Sequence, residues 1–125
     1  MIGCSLGGAS ALTYAARMPD LVGTVIAQYP DTSFITNPAA FVGKIQVPTL
    51  ILAGTFDTYM SCCLIETARK LNNAARAGPV PNLLELHEYP GADHGFSTNA
   101  SKRRDIASDS LGRTVARLRQ YLGDS

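Results

Sequence analysis

Gly3-Cys4-Ser5-Leu6-Gly7-Gly8 carries the spacing G-x-S-x-G near the start of the chain. A serine held in a tight turn between a strand and a helix brings backbone too close for side chains two positions to either side, so glycine fits there. Met1-Ile2 reads as the stub of the strand. The Ala- and Gly-rich run Ser5 to Arg17 reads as the helix, closed by Met18-Pro19. Such a turn projects the serine over a helix N-terminus, where N–H groups and the macrodipole favour negative charge. Cys4 is the competing nucleophile, but it is out of register, flanked two residues away by Ile2 and Leu6. A Gly-rich turn or phosphate cradle is the plainer alternative, weakened because no Walker lysine and no G-x-G-x-x-G is present.

Beyond this segment, short apolar runs alternate with helical stretches, and Pro and Gly mark the joints. That ordering predicts βα units, an α/β class and a mostly parallel sheet with flanking helices. Val22 to Gln28 and Val47 to Ala53 read as strands, ended by Tyr29-Pro30 and Gly54. Residues 31 to 46 read as a loop with one short turn of helix. Met60 to Ala77 puts Met60, Leu64, Ala68, Leu71 and Ala75 on one helical face, stopped by Gly78-Pro79. Leu83 to Tyr89 is a further strand and Pro90 to Ala100 a loop. Asp109 to Leu122 is a final helix seamed by Leu111, Val115, Leu118 and Leu122.

The 125 residues are 46% hydrophobic and 17% charged, which fits one modest domain over residues 1–125 and excludes disordered, collagen-like and coiled-coil chains. The charged fraction falls below the roughly 25% of an average domain, as expected where many positions are covered on two sides. A net charge of +1 argues against nucleic acid or a membrane surface as partner. Lys102-Arg103-Arg104, followed by Asp105, reads as a solvated face. No apolar run reaches the ~18 to 20 residues of a membrane span.

The three cysteines, Cys4, Cys62 and Cys63, are odd in number and two are adjacent, so they make no disulfide framework and match no zinc spacing. For Cys62-Cys63 a vicinal disulfide or reactive thiol stands against the default of buried packing. Free cysteines favour a reducing cytoplasm, with secretion left open.

Two later residues fall just past the carboxyl ends of predicted strands. Asp57 follows through Thr55-Phe56, and His94 through Pro90-Gly91-Ala92-Asp93. In a parallel sheet those ends share one edge, which gathers Ser5, Asp57 and His94 in the order nucleophile, acid, base. Each has a plainer reading: Asp57 as a cap or turn residue, with Asp31 a rival acid, and His94 as a structural loop histidine. His87, inside a strand, reads as structural or surface.

Gly3-Cys4-Ser5-Leu6-Gly7-Gly8, the stretch from Ile45 to Asp57, and Tyr89-Pro90-Gly91-Ala92-Asp93-His94-Gly95-Phe96 together resemble the dienelactone hydrolases of the α/β-hydrolase superfamily, over nearly the whole chain. The resemblance implies the C-terminal half of an α/β-hydrolase fold, with the N-terminal strands missing. It implies Ser5 as nucleophile, Asp57 as acid, His94 as base and the Leu6 backbone N–H as an oxyanion-hole donor. It also implies no metal or organic cofactor, and a small-molecule ester or lactone as substrate. The founding members have cysteine at the elbow, so Ser5 looks more like the esterase-type members and favours general ester hydrolysis. Serine peptidases and thioesterases share the triad, and a non-catalytic remnant or interaction module is a separate class. The oligomeric state is not legible in the sequence. With strand edge and sheet faces uncovered, the chain alone is expected to be poorly stable, and a cooperative, monomeric transition by calorimetry contradicts that expectation.

Overall fold

Parallel strands buried on both faces need near-continuous apolar runs, and the chain supplies them twice. In the computed structural model, which describes residues 1–96 and 100–123, these runs are the inner strands of a four-stranded sheet. β1 (Ile2–Cys4), β2 (Val25–Gln28), β3 (Thr49–Gly54) and β4 (Leu84–Tyr89) pair in parallel in that order. Register sets Cys4 beside Gln28, Gln28 beside Leu52, and Gly54 beside Tyr89. All four carboxyl ends therefore rise along one rim. Four helices accompany the sheet: α1 (Leu6–Thr13), α2 (Pro38–Val42), α3 (Ile65–Arg76) and α4 (Ala100–Leu122).

Side chains alternate across a strand, and the core divides accordingly. Val25, Ala27, Ile51 and Ala53 pack with Leu12 of α1 and Leu71 of α3. Ile26, Leu50 and Leu52 pack on the other face with Phe96 and with Ile106 of α4. The expected uncovered sheet faces are thus not found at β2 and β3. Exposed apolar side chains include Ile2 on β1, Leu6 on α1 and Tyr14 and Leu21 after it, and others such as Phe34, Phe56 and Val80 lie elsewhere along the chain.

Several boundaries move for identifiable reasons. The first helix ends at Thr13, because the chain tightens into a 3₁₀ turn in which Arg17 N–H reaches the Tyr14 carbonyl and Met18 N–H the Ala15 carbonyl. β2 opens at Val25 rather than Val22, whose N–H is taken by the Met18 carbonyl. The expected short helical turn in residues 31–46 is α2, capped by the Asn37 side chain accepting from Ala40 N–H at 3.1 Å. β3 and β4 also open slightly late, at Thr49 and Leu84.

Two helices depart further from expectation. α3 begins at Ile65, not Met60, because Met60 (φ 48°) and Ser61 (φ 53°) are left-handed. Its buried face is Ile65, Ala68, Leu71 and Ala75, and Met60 is exposed. α4 opens at Ala100 rather than Asp109, and its seam shifts: Ile106, Ser110 and Thr114 are buried and Leu118 packs against the core, while Leu111 and Leu122 are exposed. The hydroxyls of Ser110 and Thr114 donate to the carbonyls of Ala107 and Ser110, so neither enters the interface unpaired.

A polar clasp beside that seam ties the helix to β4. Tyr89 O–H and Arg113 Nε–H both donate to Asp109 Oδ2, each at 2.7 Å. Burial, then the carboxylate, pushes the Tyr89 phenol up, while Arg113 and then Tyr89 hold Asp109 below the usual carboxylate range.

Within the expected loop from Pro90 to Ala100, His94–Phe96 makes a single turn, and residues 97–99 lie outside the described residues. Arg103 and Arg104 are exposed, as expected of a solvated face; the Lys102 side chain lies outside the described residues. Among the described residues no helix is long and apolar enough to cross a membrane.

Leu71 is fully buried between α3 and the sheet, so Leu71→Ala is expected to cost about 2–5 kcal/mol of stability. Urea unfolding should show this as a lower midpoint at unchanged slope.

Candidate active site

Ser5 sits in the turn between β1 and α1 with φ 52° and ψ −116°, a conformation an L-residue holds only when its surroundings enforce it. Its N–H donates to the Gln28 carbonyl at 3.0 Å, and its own carbonyl accepts from Ala9 N–H and Asp31 N–H at 3.1 and 3.0 Å. Gly3 is required here, since a Cβ would meet the Gly7 carbonyl oxygen at 2.2 Å. The second tight position is Gly8, where a Cβ would lie 2.8 Å from Pro30 Cβ, and not Gly7, which has open space around it. The pentapeptide rule is thus met at its first glycine and displaced by one residue at its second.

Asp57 and His94 reach the same rim on two loops that are stitched together. Gly54, the last residue of β3, lets the histidine loop approach so closely that a Cβ would stand 2.3 Å from the Ala92 carbonyl oxygen. Phe56 N–H donates to that oxygen at 2.9 Å, and Gly91 N–H donates to Thr55 Oγ1 at 2.8 Å. The three expected residues meet. Ser5 Oγ is 3.0 Å from His94 Nε2, and His94 Nδ1 is 2.8 Å from Asp57 Oδ2. A carboxylate oxygen accepts, so the ring proton belongs on Nδ1, which leaves Nε2 to accept from the serine hydroxyl.

The rivals go elsewhere. Asp31 Oδ1 accepts from the N–H and hydroxyl of Ser33, an Asx turn. His87 stays on β4, 3.7 Å from Asp109 and edge-on to Tyr89. Burial, then Arg113, pulls its imidazole down. Asp57 faces His94 through Oδ2 and closes a turn through Oδ1, which accepts from Tyr59 N–H at 3.2 Å, while its side chain is 1% exposed. Leu6 opens α1, so its N–H is among the first-turn donors without an intrahelical partner.

Two tyrosines complete the surroundings of His94. Tyr59 stacks on its ring at 4.6 Å and 13° between planes, and Tyr29, itself at φ 35°, meets it edge-on at 5.0 Å. Sequence reasoning missed both. The available signal was position: Tyr29 directly follows β2 and Tyr59 follows Asp57 by two.

Cys62 and Cys63 are joined to each other as a vicinal disulfide, and Cys4 is the free, exposed cysteine. Buried packing alone, the default for the pair, is therefore corrected, and the argument from free thiols to a reducing compartment keeps only Cys4. A separate apolar cavity of about 330 Å³ lies between α2 and the end of α3, lined by Val42, Ala75 and Leu84 among others. It opens near the amino end of β4, away from the serine.

The sheet order and the elbow place the chain in the α/β-hydrolase fold class. The sequence model of the dienelactone hydrolase family matches residues 1–122, and the chain belongs to that family. Among solved structures, one assigned as a dienelactone hydrolase from Klebsiella pneumoniae subsp. pneumoniae MGH 78578 is 26% identical with a TM-score of 0.74, over 96% of this chain and 51% of that one. Dienelactone hydrolase from Anabaena variabilis ATCC 29413 is 20% identical, TM-score 0.62, over 96% and 48% of the two chains. The Pyrococcus furiosus esterase Pf2001 is 17% identical, TM-score 0.72, over 98% and 53%. The chain thus spans about half the length of these structures. No curated protein matches it.

The Nδ1–H to Asp57 contact should give a strongly deshielded ring-proton signal in NMR. Asp57→Asn is expected to abolish it, and so is Gly54→Ala, whose Cβ drives the acid and histidine loops apart.

Proposed function

We propose that this chain carries the chemistry of a serine hydrolase acting on carboxylic ester or lactone bonds of a small molecule. The observation that carries the reading is the continuous line from Ser5 Oγ through His94 to Asp57, at 3.0 and 2.8 Å. As the Ser5 hydroxyl attacks the carbonyl carbon, Nε2 of His94 takes its proton, and Asp57 stabilises the imidazolium that forms. The oxyanion develops over the amino end of α1, where the Leu6 N–H is the donor this chain supplies. His94 then returns its proton to the leaving alkoxide, leaving the acyl group on Ser5. In the second half, His94 activates a water that releases the acid and restores the serine. Family membership favours esters and lactones over the amides and thioesters that the same residues could serve.

The strained backbone of Ser5 supports this role, because φ 52° holds the hydroxyl clear of the turn in a fixed direction rather than relaxing it into the helix. Asp57 contributes through orientation, its carboxylate almost wholly buried and held on both oxygens.

A serine-directed fluorophosphonate is expected to label the protein at Ser5. Ser5→Ala should remove the label and lower turnover of an aryl ester by at least about 10³-fold. Mass spectrometry locates the adduct, and labelling at Cys4, or labelling that survives in Ser5→Ala, refutes the assignment.

A further inference from the structure

Donor atoms from Asp57, Cys62, Cys63 and His94 all lie within 4.8 Å of one another. The hydrolytic reading uses the first and last and gives the sulfurs no task. Tetrahedral zinc holds sulfur at about 2.3 Å and nitrogen or oxygen at about 2.0–2.2 Å. Its ligands therefore stand roughly 3.3–3.8 Å apart, so the two sulfurs, bonded to each other here, must part while the wider pairs of the set draw in. Two sulfurs, one imidazole and one carboxylate form a donor set that selects soft or borderline cations over magnesium or calcium.

The geometry points to a binding site for a thiophilic divalent cation, Zn²⁺ or Cd²⁺, formed by Asp57, Cys62, Cys63 and His94 once the Cys62–Cys63 disulfide is reduced. Spacing rules do not find it, because the donors come from two loops that meet only at the sheet rim.

The disulfide gates the site. A dithiol reductant supplies two electrons and two protons; its own thiols become a disulfide while the Cys62–Cys63 bond breaks and two S–H groups form. Cation binding then forms two sulfur–metal bonds and releases both thiol protons to solvent. Met60 and Ser61, between Asp57 and the cysteines, are exposed, so packing of these two side chains does not oppose a shift of the segment. Cys63 is buried and Cys62 half-buried, while the His94 side chain is 20% exposed, which opens the cluster to solvent from the active-site side. A cation seated there engages a ring nitrogen of His94 and the Asp57 carboxylate, so that proton transfer from Ser5 stops. That consequence rests on the hydrolase reading; the binding does not.

Cadmium titration of the full chain tests the site, followed by the ultraviolet thiolate-to-metal charge-transfer band. Chain reduced with a dithiol, then freed of it under anaerobic conditions, should take up one Cd²⁺ at least tenfold more tightly than chain oxidised with diamide. This comparison needs no variant. His94→Gln and Asp57→Asn, checked for native circular dichroism, should each weaken uptake about tenfold or more, while Ser5→Ala should bind as the parent does although it cannot turn over substrate. Equal uptake by oxidised and reduced chain overturns the proposal, as does reduced-chain uptake indifferent to both His94→Gln and Asp57→Asn. The titration uses no substrate, so it decides the site whatever the ester assay gives.

Discussion

The parallel ladder running from β1 to β4 sends every strand in the same direction, and everything at the rim depends on that. Hydrogen bonding between neighbours fixes where each strand ends, with Cys4 beside Gln28 and Gly54 beside Tyr89. Residues distant in sequence then need only a few loop residues to meet. An antiparallel β3 would carry Asp57 to the opposite edge. The ladder alone sets the meeting to within a few ångströms, and the close approach of Gly54 to the Ala92 carbonyl brings it to hydrogen-bond distance. A side chain at residue 54 would hold the two loops apart by about its own width.

Much of this was legible because the deciding signals are local. Apolar runs ended by Gly or Pro mark the strands, and a strand's end is where chemistry gathers in α/β sheets. Ser5, Asp57 and His94 could be named for that reason, and the structure brings them together. The misreadings have physical causes of a different kind. Periodicity could not show that Met60 and Ser61 are left-handed, so the third helix was begun too early. In α4, counting apolar residues ignored the ability of Ser110 and Thr114 to satisfy their hydroxyls on their own helix, so the expected seam shared Leu118 with the core but missed the stripe of Ile106, Ser110 and Thr114. Tyr29 and Tyr59 carry no motif and are meaningful only once His94 lies between them. The partnership of Cys62 with Cys63 was one of several readings that sequence left open, since adjacency permits a bond without requiring one.

Asp57 shows how a loop can be made rigid with few residues. One carboxylate oxygen closes the turn at Tyr59 and the other receives the imidazole, so turn geometry and histidine orientation are set by the same buried group. Replacing it disturbs two things at once. For that reason the NMR signal, which reports the ring proton alone, is more informative about Asp57 than a loss of stability or of activity would be.

The face of Tyr59 and the edge of Tyr29 bear on the imidazole from two directions. To turn over by half a revolution, the ring of His94 would have to give up both hydrogen bonds and push the stacked phenol aside. Its two nitrogens are therefore not interchangeable in time: one always looks toward the serine and the other toward the acid. The ring has in effect been given a polarity, with a single orientation between the serine and the acid rather than one of two drawn at random.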